Sequence, residues 1–412
     1  MTDFGIAPTT LTVSRRTFLQ GSTMAGFTAF LSACGAGSSP APSTGGTTTV
    51  TGPLHWANWA AYIDLTTDPG PDGQEGTDDD EYVLPSPTLD AFTEKYKVAV
   101  EYADAKIEDN ETFMATIRQQ LQTGADTGWD LIVLTDWMAA RLVKSGWAEK
   151  IDQAHVPAAA ANVRDEYRGL SWDPSMDYHY PWQSGGVGVG YNVKSTGREL
   201  TKVADLFDPA FKGKVTLLSE TRDTFGLVHL MLQTQGKAAS DHTPDKLDVA
   251  DVQVIHDFLK PYVDSGHVTA FTGNEYLEFF ASGDTWASVV WSGDLASSGG
   301  PDDRFVYPEE GSMYFTDNLI IPKGAKNKYT AELMIDWVFD VTRAAAIADF
   351  IFYQSPVKGV AEAIKAIDPD AATNPLLFPP ADVLAKQYPE SAWADEAEYT
   401  KIIDLYADLA GA

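Results

Sequence analysis

The sequence predicts an α/β protein with two lobes, and three observations support this class. The chain has 412 residues, which is too long for one small domain and suits two lobes. A hydrophobic fraction of 44% is sufficient for well-packed cores. Short strands alternate with amphipathic helices along the chain, which predicts a mostly parallel sheet with helices on both faces. Ligands of such sheets bind outside the carboxyl ends of the strands.

The first strand–helix units lie between residues 54 and 142. The predicted strands are 54–59, 98–102 and 129–134. One helix is predicted to begin at Pro87, because Ser86 is a suitable N-cap and proline is favoured in the first turn. A second helix is predicted from about Asn110, where apolar residues recur at helical spacing, and a third runs through Leu142.

The second half of the chain continues the pattern. The predicted strands are 215–218, 286–291 and 319–322. A helix that ends at Gln233 is predicted after the first of them, and residues 327–354 are predicted to be helical. The run GGVGVG at 185–190 has the glycine content of a dinucleotide-binding loop, but no clear amphipathic helix follows it. A strand of small residues that passes close to another backbone is the preferred interpretation.

The N-terminal segment predicts export and attachment to a membrane. Residues 14–19, SRRTFL, match a twin-arginine export signal, and the apolar run that follows is too short to span a bilayer. The run ends at LSAC with Cys34, which is typical of the lipidation site of exported lipoproteins. We therefore predict a signal peptide over 1–33 and, because Gly, Ser, Thr and Pro dominate there, a flexible tether over 34–51.

The charge balance excludes several classes of partner. The formal net charge is −30, which argues against nucleic acid or anionic lipid as a ligand, because phosphate binding needs clustered Lys and Arg. The single Cys excludes a disulfide framework and a Cys-based zinc site. Residues 64–81 are strongly acidic. Their spacing does not fit a calcium-binding loop, so a solvated acidic insertion is the preferred interpretation.

Enzyme signatures are missing from the sequence. The seven His residues include no HExxH pair, and neither a GxSxG motif nor a phosphate-binding loop occurs. No cofactor or metal motif is present. An exported hydrolase that uses two carboxylates remains an alternative, since the acidic residues are too numerous for any pair to stand out.

Several segments resemble the spermidine/putrescine-binding proteins of ABC importers. The resemblance extends from about Leu54 to the C-terminus. The segments that carry it are NWAAY at 58–62, NETF at 110–113, WDLIV at 129–133, ADLF at 204–207, FKGK at 211–214, VWSG at 290–293, DNLIIP at 317–322 and YQSP at 353–356.

The resemblance implies a two-lobed type II periplasmic-binding-protein fold with hinge crossover strands and a ligand cleft between the lobes. One lobe would contain residues 52–185 and 317–361, and the other 186–316 and 362–412. Closure about the hinge would bury the ligand.

The resemblance also implies a ligand site for a polyamine. Its ammonium groups need carboxylates, and aromatic faces suit both the methylenes and the cations. The matching positions are Trp59, Tyr62, Thr135, Trp137, Glu220, Asp223, Trp291, Phe315, Asp317 and Tyr353. From spacing alone, Glu220 and Asp223 could instead complement a helix dipole, and Asp317 could be a turn residue.

Four positions depart from the family pattern. Trp137 and Phe315 replace a tyrosine and a tryptophan, Ser184 replaces a crossover-strand tryptophan, and Ala394 replaces a glutamine. These changes concern which polyamine is bound.

The sequence therefore predicts a receptor that delivers spermidine or putrescine to an ABC permease. This receptor is predicted to be monomeric and non-enzymatic, to have no cofactor, and to be anchored through Cys34 outside the cell membrane. The alternatives are the same fold with another small solute, a sensing or adhesion receptor, and the hydrolase.

Overall fold

The protein is described here by a computed structural model that covers residues 48–68, 81–83, 86–239, 241–393 and 396–411. The predicted signal peptide with Cys34, most of the tether, most of the acidic segment 64–81, and Ala394 lie outside the described residues. None of the helices in the described ranges is long and apolar enough to cross a membrane.

The described residues form one ten-stranded sheet and one two-stranded sheet. The strands are β1 (Leu54–Ala57), β2 (Thr66–Asp68), β3 (Glu81–Val83), β4 (Val100–Ala103), β5 (Leu131–Thr135), β6 (His179–Asn192), β7 (Val215–Leu218), β8 (Val268–Thr272), β9 (Ala287–Trp291), β10 (Asp303–Val306), β11 (Ser312–Ile320) and β12 (Gln387–Pro389). The main order is β4-β1-β5-β11-β6-β9-β7-β8, with β10 beside β6 and β12 beside β11.

Helices follow most of these strands. They are α1 (Pro87–Tyr96), α2 (Asn110–Thr123), α3 (Asp136–Lys144), α4 (Pro157–Asn162), α5 (Val193–Thr196), α6 (Thr221–Thr234), α7 (Val249–Asp264), α8 (Tyr276–Ser282), α9 (Ser292–Ser298), α10 (Lys328–Val338), α11 (Val341–Ile351), α12 (Val360–Ile367), α13 (Ala381–Leu384) and α14 (Glu396–Ala410). The predicted α/β class is confirmed.

Two long strands join two parallel groups in the main sheet. The strands β4, β1 and β5 run parallel to one another, and so do β9, β7 and β8. The 14-residue strand β6 and the 9-residue strand β11 are antiparallel to each other and lie between the groups. One edge of β11 pairs with β5, and part of β6 pairs with β9. The two parallel groups therefore meet at β11 and β6.

The glycine run at 185–190 is part of β6, as the sequence predicts. A Cβ atom on Gly188 would lie 2.4 Å from the carbonyl oxygen of Val306 in β10. Any side chain there would displace the neighbouring strand, so glycine permits the close approach of the two backbones. The run lies inside a buried strand and does not open a phosphate-binding loop.

Helix capping explains two boundaries. The predicted cap is confirmed, because Ser86 Oγ accepts a hydrogen bond from the backbone N–H of Leu89 at the start of α1. The predicted helical region 327–354 consists of two helices. Asp340 separates them, since its side chain accepts hydrogen bonds from the N–H groups of Thr342 and Arg343 and begins α11.

Candidate functional site

A cavity of about 430 Å³ lies where the ends of strands from both parallel groups meet. Its lining residues are Trp59, Ala60, Tyr62, Thr135, Glu220, Asp223, Asn274, Trp291, Asp294, Phe315, Asp317, Tyr353 and Glu390. Thr135 and Trp291 are the last residues of β5 and β9, and Trp59 follows β1. The cavity therefore occupies the position at which α/β sheets bind ligands.

Nine of the ten residues implied by the resemblance line this cavity, and Trp137 is the exception. The Trp137 ring, on α3, instead stacks on the guanidinium of Arg222, with 3.3 Å between the guanidinium carbon and the ring centroid. The Trp393 ring lies 4.5 Å from the same carbon. Trp137 thus contacts a cation that the chain itself supplies, and its predicted contact with a ligand stays a prediction.

Asp317 lies on β11 and faces Thr135 of β5 across the ladder. Its carboxylate accepts hydrogen bonds from the Tyr62 hydroxyl at 2.8 Å and the Thr135 hydroxyl at 2.9 Å. Burial raises the pKa of Asp317 to about 7, although the hydrogen bonds from Tyr62 and Thr135 oppose that rise. The strand register therefore holds this carboxyl in place inside the cavity, whereas the sequence alone also allowed a turn residue.

Glu220 and Asp223 come from the start of α6. Trp291 Nε1 donates a hydrogen bond to Asp223 at 2.9 Å, and Arg222 Nη1 lies 3.6 Å from Glu220. Burial raises the pKa of Glu220 to about 6 and that of Asp223 well above its usual range, where the nearby Glu220 charge also contributes. Both carboxyls line the cavity in addition to lying at the helix start, where they complement the helix dipole.

Aromatic rings form the remaining walls. Trp59 and Trp291 meet edge to face with 6.5 Å between centroids, and Tyr62 meets Tyr353 in the same way at 5.1 Å. Phe315 lies against Tyr353 at 5.9 Å. These rings present apolar faces suited to methylene groups, and their π-systems attract organic cations.

Two acidic residues of the cavity are not among the sequence-predicted set. Asp294 lies in the first turn of α9 and accepts hydrogen bonds from Tyr276 at 2.5 Å, Asn274 at 2.6 Å and Tyr353 at 2.7 Å. It lies three residues after Trp291, at a helix start, and such a position fits compensation of the helix dipole as well as contact with a ligand. Glu390 follows β12 and offers no comparable sequence signal.

The charged groups that line the cavity are all acidic. Five carboxyl groups line it, and no Lys or Arg does within the part of the chain that the structure describes. An anionic ligand would place its charge among these carboxylates without a basic partner. The arrangement therefore suits an organic cation with several N–H donors, whose charges the carboxylates would balance.

A second acidic cluster lies away from the cavity, at the start of α7. His242 Nδ1 lies 2.6 Å from Asp251, and the Asp248 carboxylate accepts hydrogen bonds from the N–H groups of Ala250 and Asp251. The ligand atoms of His242, Asp248 and Asp251 lie within 4.8 Å of one another. Helix capping accounts for the contacts of Asp248 and Asp251, and His242 forms an ion pair with Asp251, so these contacts do not by themselves define a metal site.

The chain belongs to the family described as bacterial extracellular solute-binding proteins, whose profile matches residues 88–379. This family consists of binding components and not of enzymes, as the sequence predicts. The chain is 28% identical over 309 residues to the spermidine/putrescine-binding periplasmic protein of Salmonella typhimurium, over 74% of this chain and 83% of that protein. It is 26% identical to a putrescine-binding periplasmic protein of Escherichia coli, over 64% and 73%.

Solved structures show the same two-lobed fold. A spermidine/putrescine ABC transporter protein of Listeria monocytogenes superimposes with a TM-score of 0.70 at 22% identity, over 86% of this chain and 98% of that one. A lipoprotein of Treponema pallidum superimposes with a TM-score of 0.68 at 18% identity, over 87% and 99%. The two-lobed fold that the resemblance implied is confirmed.

Proposed function

We propose that the protein is the polyamine-binding component of an ABC importer, with spermidine or putrescine as its ligand. The observation that carries the proposal is the cavity that combines five carboxyl groups with aromatic walls. Carboxylates would bind the ammonium groups, and the aromatic faces would cover the methylenes between them. The polyamine ligands named for the Salmonella and Escherichia relatives support this assignment.

Calorimetry with the purified protein tests the ligand class. We expect saturable binding of putrescine and spermidine. Affinity should weaken as salt increases, because charge pairing contributes to it. Glutamate is a suitable control, because its second carboxylate would face the carboxyls of the cavity without a basic partner. The absence of binding by both amines across the salt series would contradict the proposal.

The two lobes would close on the ligand about the two crossover strands. We assign residues 52–185 and 317–361 to one lobe and residues 186–316 and 362–412 to the other. In this division β6 and β11 connect the lobes. Each lobe contributes carboxyl groups to the cavity, since Asp317 belongs to the first lobe and Glu220 to the second. The closed form would then be the one that the permease recognises.

The N-terminal motifs support a lipid anchor on the outer face of the cell membrane. We expect export through the twin-arginine route, cleavage before Cys34 and lipidation of its thiol. The mass spectrum of the N-terminal peptide from the membrane fraction would then show a modified Cys34. A Cys34→Ser variant should appear in the soluble exported fraction. An unmodified Cys34 in the processed protein would exclude the anchor and leave the ligand assignment intact.

A further inference from the structure

The last helix, α14, packs on the second lobe. The ring of Tyr406 on this helix lies 6.3 Å from the ring of Phe225 in α6 and 5.4 Å from the ring of Phe271 in β8, measured between centroids. The Glu398 carboxylate accepts a 3.3 Å hydrogen bond from the backbone N–H of Val249 at the start of α7. All of these partners belong to the residues assigned to the second lobe, so α14 should move with that lobe.

Tyr399 extends from α14 to the first lobe. Its hydroxyl donates a hydrogen bond to the Glu111 carboxylate on α2. Its ring centroid lies 4.7 Å from the guanidinium carbon of Arg141 on α3. Arg141 Nη1 in turn lies 3.8 Å from the Glu111 carboxylate. Tyr399 therefore contacts both members of an ion pair of the first lobe, one through its hydroxyl and the other through its ring.

The buried guanidinium of Arg222 extends this contact between the lobes. Its carbon lies 3.3 Å from the ring centroid of Trp137 in the first lobe and 4.5 Å from that of Trp393 in the second. It also lies 5.7 Å from the Tyr399 centroid. Aromatic faces attract guanidinium groups, and the attraction is stronger where water is excluded. Trp137 and Tyr399 thus each contact an arginine of the opposite lobe.

These contacts lie outside the ligand cavity, since Glu111, Arg141 and Tyr399 are not among the described residues that line it. They join side chains of the chain itself, so they can form with or without a ligand. Opening of the cleft would separate α14 from α2 and α3 and break them. A contact made only in the closed form stabilises that form relative to the open one.

We infer that Tyr399, Glu111 and Arg141 form a latch that stabilises the closed form, both in the unliganded protein and in the complex. The inference rests on the proposed function for its ligand. The three residues are positioning residues, which raise the affinity because a larger fraction of the protein is competent to enclose the amine. A latch of this kind changes the affinities for putrescine and spermidine by one common factor.

The Tyr399→Phe variant tests the latch, because it keeps the ring beside Arg141 and removes the hydroxyl that donates to Glu111. Calorimetry should show that the affinities for putrescine and spermidine fall by the same factor, about threefold to tenfold. Dissociation of the amine should be faster, since the cleft opens more readily. X-ray scattering of the unliganded variant should give a larger radius of gyration than that of the wild type, and saturating amine should remove the difference.

Two further variants separate the latch from a general effect on packing. Tyr262→Phe is the matched control, because that ring packs on Phe207 and Phe258 within the second lobe, and it should behave as the wild type does. Glu111→Gln removes the charge that accepts the hydrogen bond and should change affinity and scattering in the same direction as Tyr399→Phe. The double variant should lose less affinity than the product of the two single losses, because both substitutions weaken one contact.

The outcomes separate the latch from the proposed function. If the wild type binds neither amine, the ligand assignment fails, and the scattering of the unliganded variants decides the latch alone. If the wild type binds both, an unchanged affinity or an unchanged radius of gyration in Tyr399→Phe would overturn the latch. A loss that differs between the two amines would indicate contact with the ligand and would overturn it as well. Should Tyr399→Phe fail to fold, Glu111→Gln must show both effects for the inference to stand.

Discussion

The Asp317→Asn variant is expected to bind a polyamine at least about thirtyfold more weakly than the wild type. The substitution removes the negative charge and keeps the shape, so the loss reports on charge pairing. Tyr62 and Thr135 donate to this carboxylate and orient it. Without its charge, a desolvated ammonium group loses a compensating partner inside the cavity. Calorimetry with putrescine and spermidine measures the change.

The control is Asp284→Asn, a substitution of the same kind on an exposed loop before β9. This variant should bind as the wild type does, because a screened surface charge contributes little at moderate salt. Circular dichroism should show that both variants are folded. Equal affinities of the Asp317 and Asp284 variants would remove Asp317 from the site.

The affinity for a polyamine is expected to rise by about tenfold or more between about pH 5.5 and 7.5. The carboxyls must be ionised to bind an ammonium group, and burial raises the pKa of Asp317 to about 7 and that of Glu220 to about 6. The amine stays protonated throughout this range, since alkyl ammonium groups lose their proton only near pH 10. The Asp317→Asn variant should show a flatter dependence.

The stability of the unliganded protein should change with pH in the opposite direction. A buried acid with a raised pKa holds its proton in the folded state at a pH where the unfolded chain has lost it. The folded state then binds more protons, so the free energy of unfolding falls as pH rises through the interval between the two pKa values. Melting temperatures from pH 5 to 8 should fall without ligand and fall less with saturating amine. A rise in both series would contradict the assignment of raised pKa values.

Local patterns predicted the elements well because local forces decide them. The predicted strand 215–218 coincides with β7, and the predicted start at Asn110 coincides with that of α2. The β11 strand begins at Ser312, several residues before the predicted start at 319. Pairing with β6 and β12 extends it, and such pairing between distant segments leaves no periodic signal in the sequence.

The family resemblance implied nine of the cavity residues, whereas local pattern by itself indicated few of them. Trp59 follows a predicted strand, which favoured a ligand role. The helix start left Glu220 and Asp223 explained equally well by the helix dipole. Glu390 enters the cavity because β12 pairs with a strand more than 70 residues earlier in the chain, which spacing does not reveal.

The sequence by itself determined the α/β alternation, the export and lipidation motifs, the absence of familiar enzyme motifs and the acidic balance, since these depend on composition and short-range pattern. Only the tertiary structure decided which of the many carboxyls share one buried cavity, that Trp137 stacks on Arg222, and that Glu390 enters the cavity. Burial and hydrogen bonding are properties of the packed chain. They separate the few carboxyls that could bind a cation from the many that remain solvated at the surface.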